Sequence, residues 1–317
     1  MPGGKVFAAG MMDTLGVRRA LFMAIVAGSL AGACSPQMPA APTWAGATAD
    51  AALRAPQARI VVLDIGSGHL LATSNLADAA HTLAAPGSTL KPLVLYGLVA
   101  SGSWDPARRI ACTRKLRIAA RALDCSHPAT DPMDAREALA WSCNTYFAEV
   151  GATLAPGELR RLLAPTGLLS QTGLASDEAI AEFREPHTRD AESVALLGVD
   201  GIRVSLLELA VAYRWLGTQL AEHRDSVAAQ VVQGGLDDSA SFGIAAAASL
   251  GGVPVAGKTG TANLGAGSPS HGWFVGLAPA EKPSVVVAVY LPAGHGANAA
   301  RVAGDLLAHS PLRPARP

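Results

Sequence analysis

Strand-like runs sit at opposite ends of this chain, and that arrangement constrains the fold more than any other feature. Ile60-Val61-Val62-Leu63-Asp64, Gly66-Ser67-Gly68 and His69-Leu70-Leu71-Ala72-Thr73 form a hairpin pattern: two short apolar runs around a glycine-bearing turn. Three more apolar runs follow far downstream, at 253–261, 271–277 and 284–291, with turns expected at 265–270 and 278–283. The intervening sequence carries helical patterns at 134–140, 146–154 and 205–216. In the last of these Leu206, Leu209, Ala210, Tyr213 and Leu216 share one face, a stripe suited to core packing. Residues 159–200 read as irregular, broken by Gly167, Gly173 and Pro186, and a final helix is expected at 298–309. No internal repeat is visible. The two ends are expected to join in one antiparallel sheet flanked by helices, an α+β domain.

Within that frame, Pro86-Gly87-Ser88-Thr89-Leu90-Lys91-Pro92 sets a serine and a lysine three residues apart at the start of a helical run. Pro92 fits a helix only in its first turn, where the missing N–H is an orphan anyway. Residues i and i+3 share a face, so the Ser88 hydroxyl and Lys91 amine can meet. A lysine so placed can take the hydroxyl proton if burial or another cation lowers its pKa. By itself the pair is weak evidence, since an N-capping serine before a surface lysine looks the same. Composition adds something here. The chain has five lysines against twenty arginines, and the general preference for the non-titrating cation makes Lys91 and Lys258 stand out.

Two further stretches complete a pattern. Ser142-Cys143-Asn144 lies between helical runs, where the plainer reading is a helix cap around a small core cysteine. Lys258-Thr259-Gly260-Thr261 follows the apolar Val253-Pro254-Val255-Ala256-Gly257. Two other chemistries find no support: the sequence contains no Gly-x-Ser-x-Gly elbow and no Gly-x-Gly-x-x-Gly fingerprint. His271 and His295 could each be drawn as a base, but strand-end or loop histidines are the simpler reading.

Ser-x-x-Lys, Ser-x-Asn and Lys-Thr-Gly in this order resemble the signature of penicillin-binding proteins and serine β-lactamases. The similarity extends to the flanks, in Ser142-Cys143-Asn144-Thr145-Tyr146-Phe147, in Ala256-Gly257-Lys258-Thr259-Gly260-Thr261-Ala262 and in His271-Gly272-Trp273-Phe274-Val275-Gly276. It covers about residues 57–310. Leu90 departs from the family's usual phenylalanine, the segments between motifs are short, and no glycosyltransferase domain or large N-terminal pedestal is expected. The resemblance implies a serine β-lactamase/transpeptidase-like fold with an all-helical subdomain beside the sheet. It implies Ser88 as nucleophile toward the D-alanyl carbonyl of a peptidoglycan stem peptide, or toward a β-lactam. Lys91 would be its base, aided by Lys258. Bringing a lysine from about 10.4 toward 7–8 asks about 3–4 kcal/mol of its surroundings. Ser142 would relay the proton and Asn144 would bind the substrate amide. The Ser88 and Thr261 amides would form an oxyanion hole, and Thr259 and Thr261 with Lys258 would hold the terminal carboxylate. Gly260 would let substrate lie along the strand edge. The expected activity is D,D-transpeptidation without a cofactor. A D,D-carboxypeptidase or a class D-like β-lactamase comes next, and a non-enzymatic sensor or scaffold last. A class A β-lactamase is disfavoured because no asparagine has a glutamate four residues before it.

The 317 residues, 50% hydrophobic and formally neutral, suffice for one large domain and give no footprint for nucleic acid. Arg18-Arg19, an apolar stretch at 20–30 and Ala31-Gly32-Ala33-Cys34 read as an export signal over 1–33. Cys34 would then be lipidated in a periplasmic, membrane-anchored lipoprotein that could meet other cell-wall proteins, with simple cleavage as the alternative. The Ala/Pro-rich 34–56 reads as a tether to the folded 57–317. In an oxidising compartment Cys112 and Cys125 are a candidate disulfide, worth about 3 kcal/mol, against two unpaired thiols. No metal site is expected, since the histidines are scattered and no Cys-x-x-Cys or His-x-x-x-His occurs.

Overall fold

A computed structural model of the chain describes residues 41–128, 131–263 and 269–313. The predicted signal segment and Cys34 lie outside the described residues. Among the described residues there are ten α-helices: α1 Trp44–Arg54, α2 Leu76–His81, α3 Lys91–Ala100, α4 Ala135–Ala140, α5 Asn144–Ala152, α6 Glu158–Leu163, α7 Arg189–Leu196, α8 Leu206–Glu222, α9 Val227–Ser241 and α10 Gly296–Leu307. The strands are β1 Arg59–Asp64, β2 Leu70–Ser74, β3 Arg117–Ile118, β4 Arg121–Ala122, β5 Glu182–Phe183, β6 Ile202–Arg203, β7 Ala256–Asn263, β8 Ser270–Ala278 and β9 Val285–Leu291. The N-terminal hairpin and the C-terminal strands form one antiparallel sheet in the order β2-β1-β9-β8-β7. This is the α+β architecture expected from the pattern. The remaining strands make two two-stranded ladders, β3-β4 and β5-β6, in the helical part of the domain.

Both faces of the sheet are covered, which explains why its central strands read as unbroken apolar runs rather than alternating ones. On one face Ile60, Val62, Phe274, Val287 and Val289 pack with Ala47 and Ala51 of α1 and Ala303 and Leu307 of α10. On the other face Val61, Leu63, Trp273, Val275 and Val286 meet Leu209, Ala212 and Leu216 of α8 in the larger core. A one-residue slip of any central strand would exchange these two sets.

Three stretches differ from the sequence reading. Most of the supposed tether, 44–54, is a helix, capped by Thr43, whose Oγ1 accepts from Gly46 N at 3.0 Å. Its alanines are strong helix formers, and Ala47, Thr48 and Ala51 are buried at helical spacing. The supposedly irregular 159–200 holds α6 and α7. The latter begins at Thr188, whose side chain accepts from Ala191 N. The helix α9, absent from the prediction, begins at Ser226 in the same way and buries Ala228, Ala229, Val232 and Leu236. In each case a short amphipathic pattern was weak locally and is stabilised by the neighbours it packs against. Among the described residues no helix is long and apolar enough to cross a membrane.

Candidate active site

The predicted helix start at Ser88 is a single 3-10 turn, Gly87–Leu90, running directly into α3, with Pro92 in the first turn as its chemistry requires. The turn is pinned from several directions. Gly87 has φ +56° and donates its N–H to Gly198 O at 2.8 Å. A Cβ on Gly87 would lie 2.8 Å from both Thr261 N and Thr261 O, so only glycine lets the turn approach β7 this closely. His271 Nε2 and Trp273 Nε1 both meet Ala85 O, at 2.8 and 2.9 Å, and Tyr213 Oη donates to Thr89 O at 3.0 Å. Burial holds the His271 imidazole below its usual range, so the neutral ring donates to Ala85 O. The side chains of residues 271 and 273 point to the same face because they are two apart on a strand. Their alternation was visible in the sequence, but what that face would meet was not.

Lys91 is fully buried, and its Nζ donates to Ser142 O (2.9 Å), Ser142 Oγ (3.3 Å) and Asn144 Oδ1 (2.7 Å). It also sits 5.1 Å from the centre of the Phe147 ring. Burial lowers its pKa from 10.5 to about 8, while charge on the Cys143 and Cys125 thiols opposes the shift. Lys258 is equally buried on β7, with Nζ donating to Thr259 O at 3.2 Å. Burial, and then the charge on Lys91, push Lys258 well below the ordinary lysine range. The expectation that Lys258 would lower Lys91 therefore changes form. Burial dominates for both amines, and repulsion from Lys91 falls on Lys258.

Ser142 and Asn144 occupy the junction between α4 and α5, as the helical runs predict. Ser142 is a non-glycine residue at φ +56°, a conformation held by its surroundings. Asn144 is oriented at both ends: Oδ1 accepts from Lys91, and Nδ2 donates to Leu123 O (3.1 Å) and Asp124 O (3.4 Å). Its side chain thus bridges Lys91 and the 123–124 backbone, a contact that the expected role in binding a substrate amide does not include. Ser88 Oγ is half-buried and makes no hydrogen bond among the described residues. All three donors of Lys91 are directed at the Ser142–Asn144 turn.

On β7, the edge strand of the sheet, Thr259 is buried against Gly296, and Thr261 Oγ1 accepts from Gly296 N at 2.9 Å. A Cβ on Gly260 would lie 2.3 Å from Pro86 O. Its lack of a side chain thus accommodates the Ser88 turn, a requirement separate from the expected approach of substrate along the strand edge. Beyond Ala85 and Asn263 a groove of about 670 Å³ continues between Phe183, Arg184, Asp200 and Arg203.

The predicted Cys112–Cys125 disulfide is not formed. Cys112, Cys125 and Cys143 are all free and buried. Cys125 Sγ has Cys143 Sγ at 3.9 Å, while Cys112 Sγ turns to His127 Nε2 and Thr145 Oγ1, each at 3.6 Å. A bridge needs sulfurs about 2.05 Å apart. Hydrogen bonding with Cys143, His127 and Cys112 lowers the Cys125 thiol pKa, and the same contact with Cys125 raises that of Cys143. His127 was not singled out by the sequence, because nothing local to it marks the cysteines it meets.

Compared with known proteins, residues 58–308 match the family described as penicillin binding protein transpeptidase domain. A curated relative, the peptidoglycan D,D-transpeptidase PbpA of Mycolicibacterium smegmatis, is 29% identical over 189 residues. That match covers 50% of this chain and 38% of the relative's length. Among solved structures, the D,D-transpeptidase domain of a peptidoglycan glycosyltransferase from Eggerthella lenta superposes with a TM-score of 0.66 at 21% identity. The match covers 84% of this chain and 80% of that one, and it shows a shared fold.

Proposed function

Because this chain belongs to the penicillin-binding protein transpeptidase family, we propose that it is a serine D,D-transpeptidase of peptidoglycan stem peptides, working through an acyl-enzyme on Ser88. The observation that carries this is the convergence of three distant motifs. Lys91, one helical turn after Ser88, is bonded to both Ser142 and Asn144, while the Ser88 turn is pressed against the Thr261 backbone.

The chemistry follows from that arrangement. An ammonium on Lys91 cannot accept a proton, but with a pKa near 8 a useful fraction is free amine at neutral pH. That amine takes the Ser88 proton as Oγ attacks the carbonyl of the D-alanyl-D-alanine bond. Ser142 Oγ, 3.3 Å from Lys91 Nζ, passes the proton to the departing D-alanine amine. The Ser88 and Thr261 amides face the developing oxyanion, an interaction whose loss typically costs about 10²–10³ in rate. Lys258, buried without a carboxylate partner among the described residues, gains one in the substrate's terminal carboxylate, which restores its ammonium. An acceptor amine then releases the acyl group. β-Lactams imitate the acyl-D-Ala-D-Ala end and acylate the same serine. A carbamate on Lys91, as a class D-like β-lactamase would need, would set an anion against Ser142 O and Asn144 Oδ1, so that reading is disfavoured.

The chain is exported and anchored through a lipid on Cys34, a reading supported by the residue pattern at 18–34. Mass spectrometry of the mature N-terminus checks it, and retention of Met1 removes it.

The function is tested by incubating the full chain with a fluorescent penicillin beside Ser88→Ala. A stable label that is lost in the variant is expected. Rapid antibiotic turnover would replace the proposal by a β-lactamase, and absence of an adduct on folded protein by a non-catalytic scaffold. Release of D-alanine to water without amine transfer would make it a D,D-carboxypeptidase.

A further inference from the structure

Four buried side chains, three from the 112–127 segment and one from the Ser142–Asn144 turn, converge on one point. Cys112, Cys125, His127 and Cys143 have ligand atoms all within 4.8 Å of one another. A tetrahedral zinc ion with bonds of about 2.3 Å to sulfur spaces its thiolate ligands about 3.8 Å apart. The observed separations are 3.9 Å between Cys125 Sγ and Cys143 Sγ and 3.6 Å between Cys112 Sγ and His127 Nε2. We propose that these residues form a structural Cys3His zinc site, which cross-links the 112–127 segment to the Ser142–Asn144 turn.

Three further observations support the assignment. Backbone amides already point at the sulfurs, Arg114 N at Cys112 Sγ (3.3 Å) and Asn144 N at Cys125 Sγ (3.2 Å). Such donors stabilise thiolates and orient metal ligands. Thr145 Oγ1 lies 3.6 Å from Cys112 Sγ and 3.8 Å from Cys125 Sγ, adding a further polar contact. The segment that supplies three of the ligands has little regular structure of its own. Among the described residues between α3 and α4 its only ladder is β3-β4, two residues on each strand, with one isolated bridge, Ile110 to Met133. A cross-link there replaces the packing that a helix or longer hairpin would provide.

The donor set also selects the ion. Three thiolates and an imidazole suit zinc rather than magnesium or calcium, which take oxygen ligands. An iron–sulfur cluster needs wider ligand spacing than 4.8 Å permits. Four protein ligands fill the tetrahedron, so the ion has no open position for a substrate or water. Binding displaces three thiol protons and requires no oxidant, whereas a disulfide between any two of these cysteines would remove two ligands. The site stands apart from the acyl-transfer reading. It fixes the loop to which Asn144 Nδ2 donates, at Leu123 O and Asp124 O, and so holds the partner of Lys91 indirectly.

The test uses the full chain with a tag free of histidine, produced in zinc-containing medium and purified without chelator. Elemental analysis should give about one zinc per chain. That zinc should be released when the cysteines are modified by a mercurial, and Co²⁺ in its place should show the intense visible bands of a tetrahedral thiolate complex. Cys112→Ser and His127→Ala should each bring the zinc content near zero. Chelation of the wild type should lower its melting temperature, a readout that stands if the variants do not fold. Zinc near zero in the wild type with no cobalt bands overturns the proposal. So does full zinc retention in both variants, or a disulfide among Cys112, Cys125 and Cys143 found by mass spectrometry of the exported protein.

Discussion

One wall of the candidate site is a strand and the other is a turn, and they hold their polar side chains by different means. Lys258 stands on β7, paired with β8 through eight residues, Ala256 to Asn263, so its position is set by a continuous ladder. Ser142 and Asn144 stand on a short junction between α4 and α5, with Ser142 in the left-handed region. There the backbone carries no ladder. Its place is set instead by side chains, namely Lys91 on one side and the cysteine–histidine cluster on the other. The two amines differ accordingly. Lys91 is satisfied by three acceptors on the turn, whereas Lys258 has one carbonyl acceptor among the described residues. The strand wall is rigid and electrostatically incomplete; the turn wall is complete within itself and strained.

The largest effect should separate the two lysines. On the proposed mechanism Lys91→Met removes the base, and the rate of penicillin labelling should fall roughly 10²–10⁴-fold. Lys258→Met removes only a charged hydrogen bond to substrate, worth about 1.5–3 kcal/mol, so its labelling should fall about 10–100-fold. Equal losses would break the distinction between the walls.

The pH profile sharpens the same contrast. Acylation needs neutral Lys91, so the labelling rate should rise about tenfold per pH unit and level off above about 8. Stability should move in the same direction. Between about 8 and 10.5 the unfolded chain holds a proton on this lysine that the folded chain lacks, so the unfolded state binds more protons and stability rises with pH across that window. The depression of Lys258 adds with the same sign. Denaturant melts at several pH values in the presence of reductant would check this, and a falling trend would reject it.

Gly87→Ala tests the closeness of the nucleophile turn to the strand wall. A Cβ there meets Thr261 N and O at 2.8 Å, on a backbone at φ +56°. Stability should drop by about 2–3 kcal/mol, with acylation reduced further than the folded fraction explains. Unchanged urea melts would mean that the turn sits further from β7.

The smallest effects belong to the two donors on Ala85 O. His271→Phe or Trp273→Phe should each cost about 0.5–1.5 kcal/mol, because the remaining donor keeps the carbonyl satisfied. The double variant should lose more than the sum, since the buried carbonyl is then unpaired. Strict additivity in denaturation would show that the donors act independently.

Much of this was legible before any coordinates. The sheet could be assembled from apolar runs at 60–63, 271–277 and 284–291 because each exceeds what a surface strand carries. Ser88, Lys91, Ser142 and Lys258 could be singled out because the chemistry demands particular residue types at short spacings. The helices α1, α7 and α9 were not legible, since their amphipathic patterns are short and their stability comes from burial against α10, α5 and α4. The same holds for His271, whose role depends on Ala85 lying across from it, 186 residues away in sequence.

The sequence by itself determined the candidate reactive groups and the period of the elements carrying them, because both are local properties of the chain. Only the tertiary structure decided which amine is satisfied and which waits. It also decided that Asn144 meets Lys91, that Gly260 lies against Pro86, and that Cys143 joins Cys112 and Cys125 in one buried cluster. Burial and close approach between distant segments set those outcomes, and neither is encoded within any single stretch of residues.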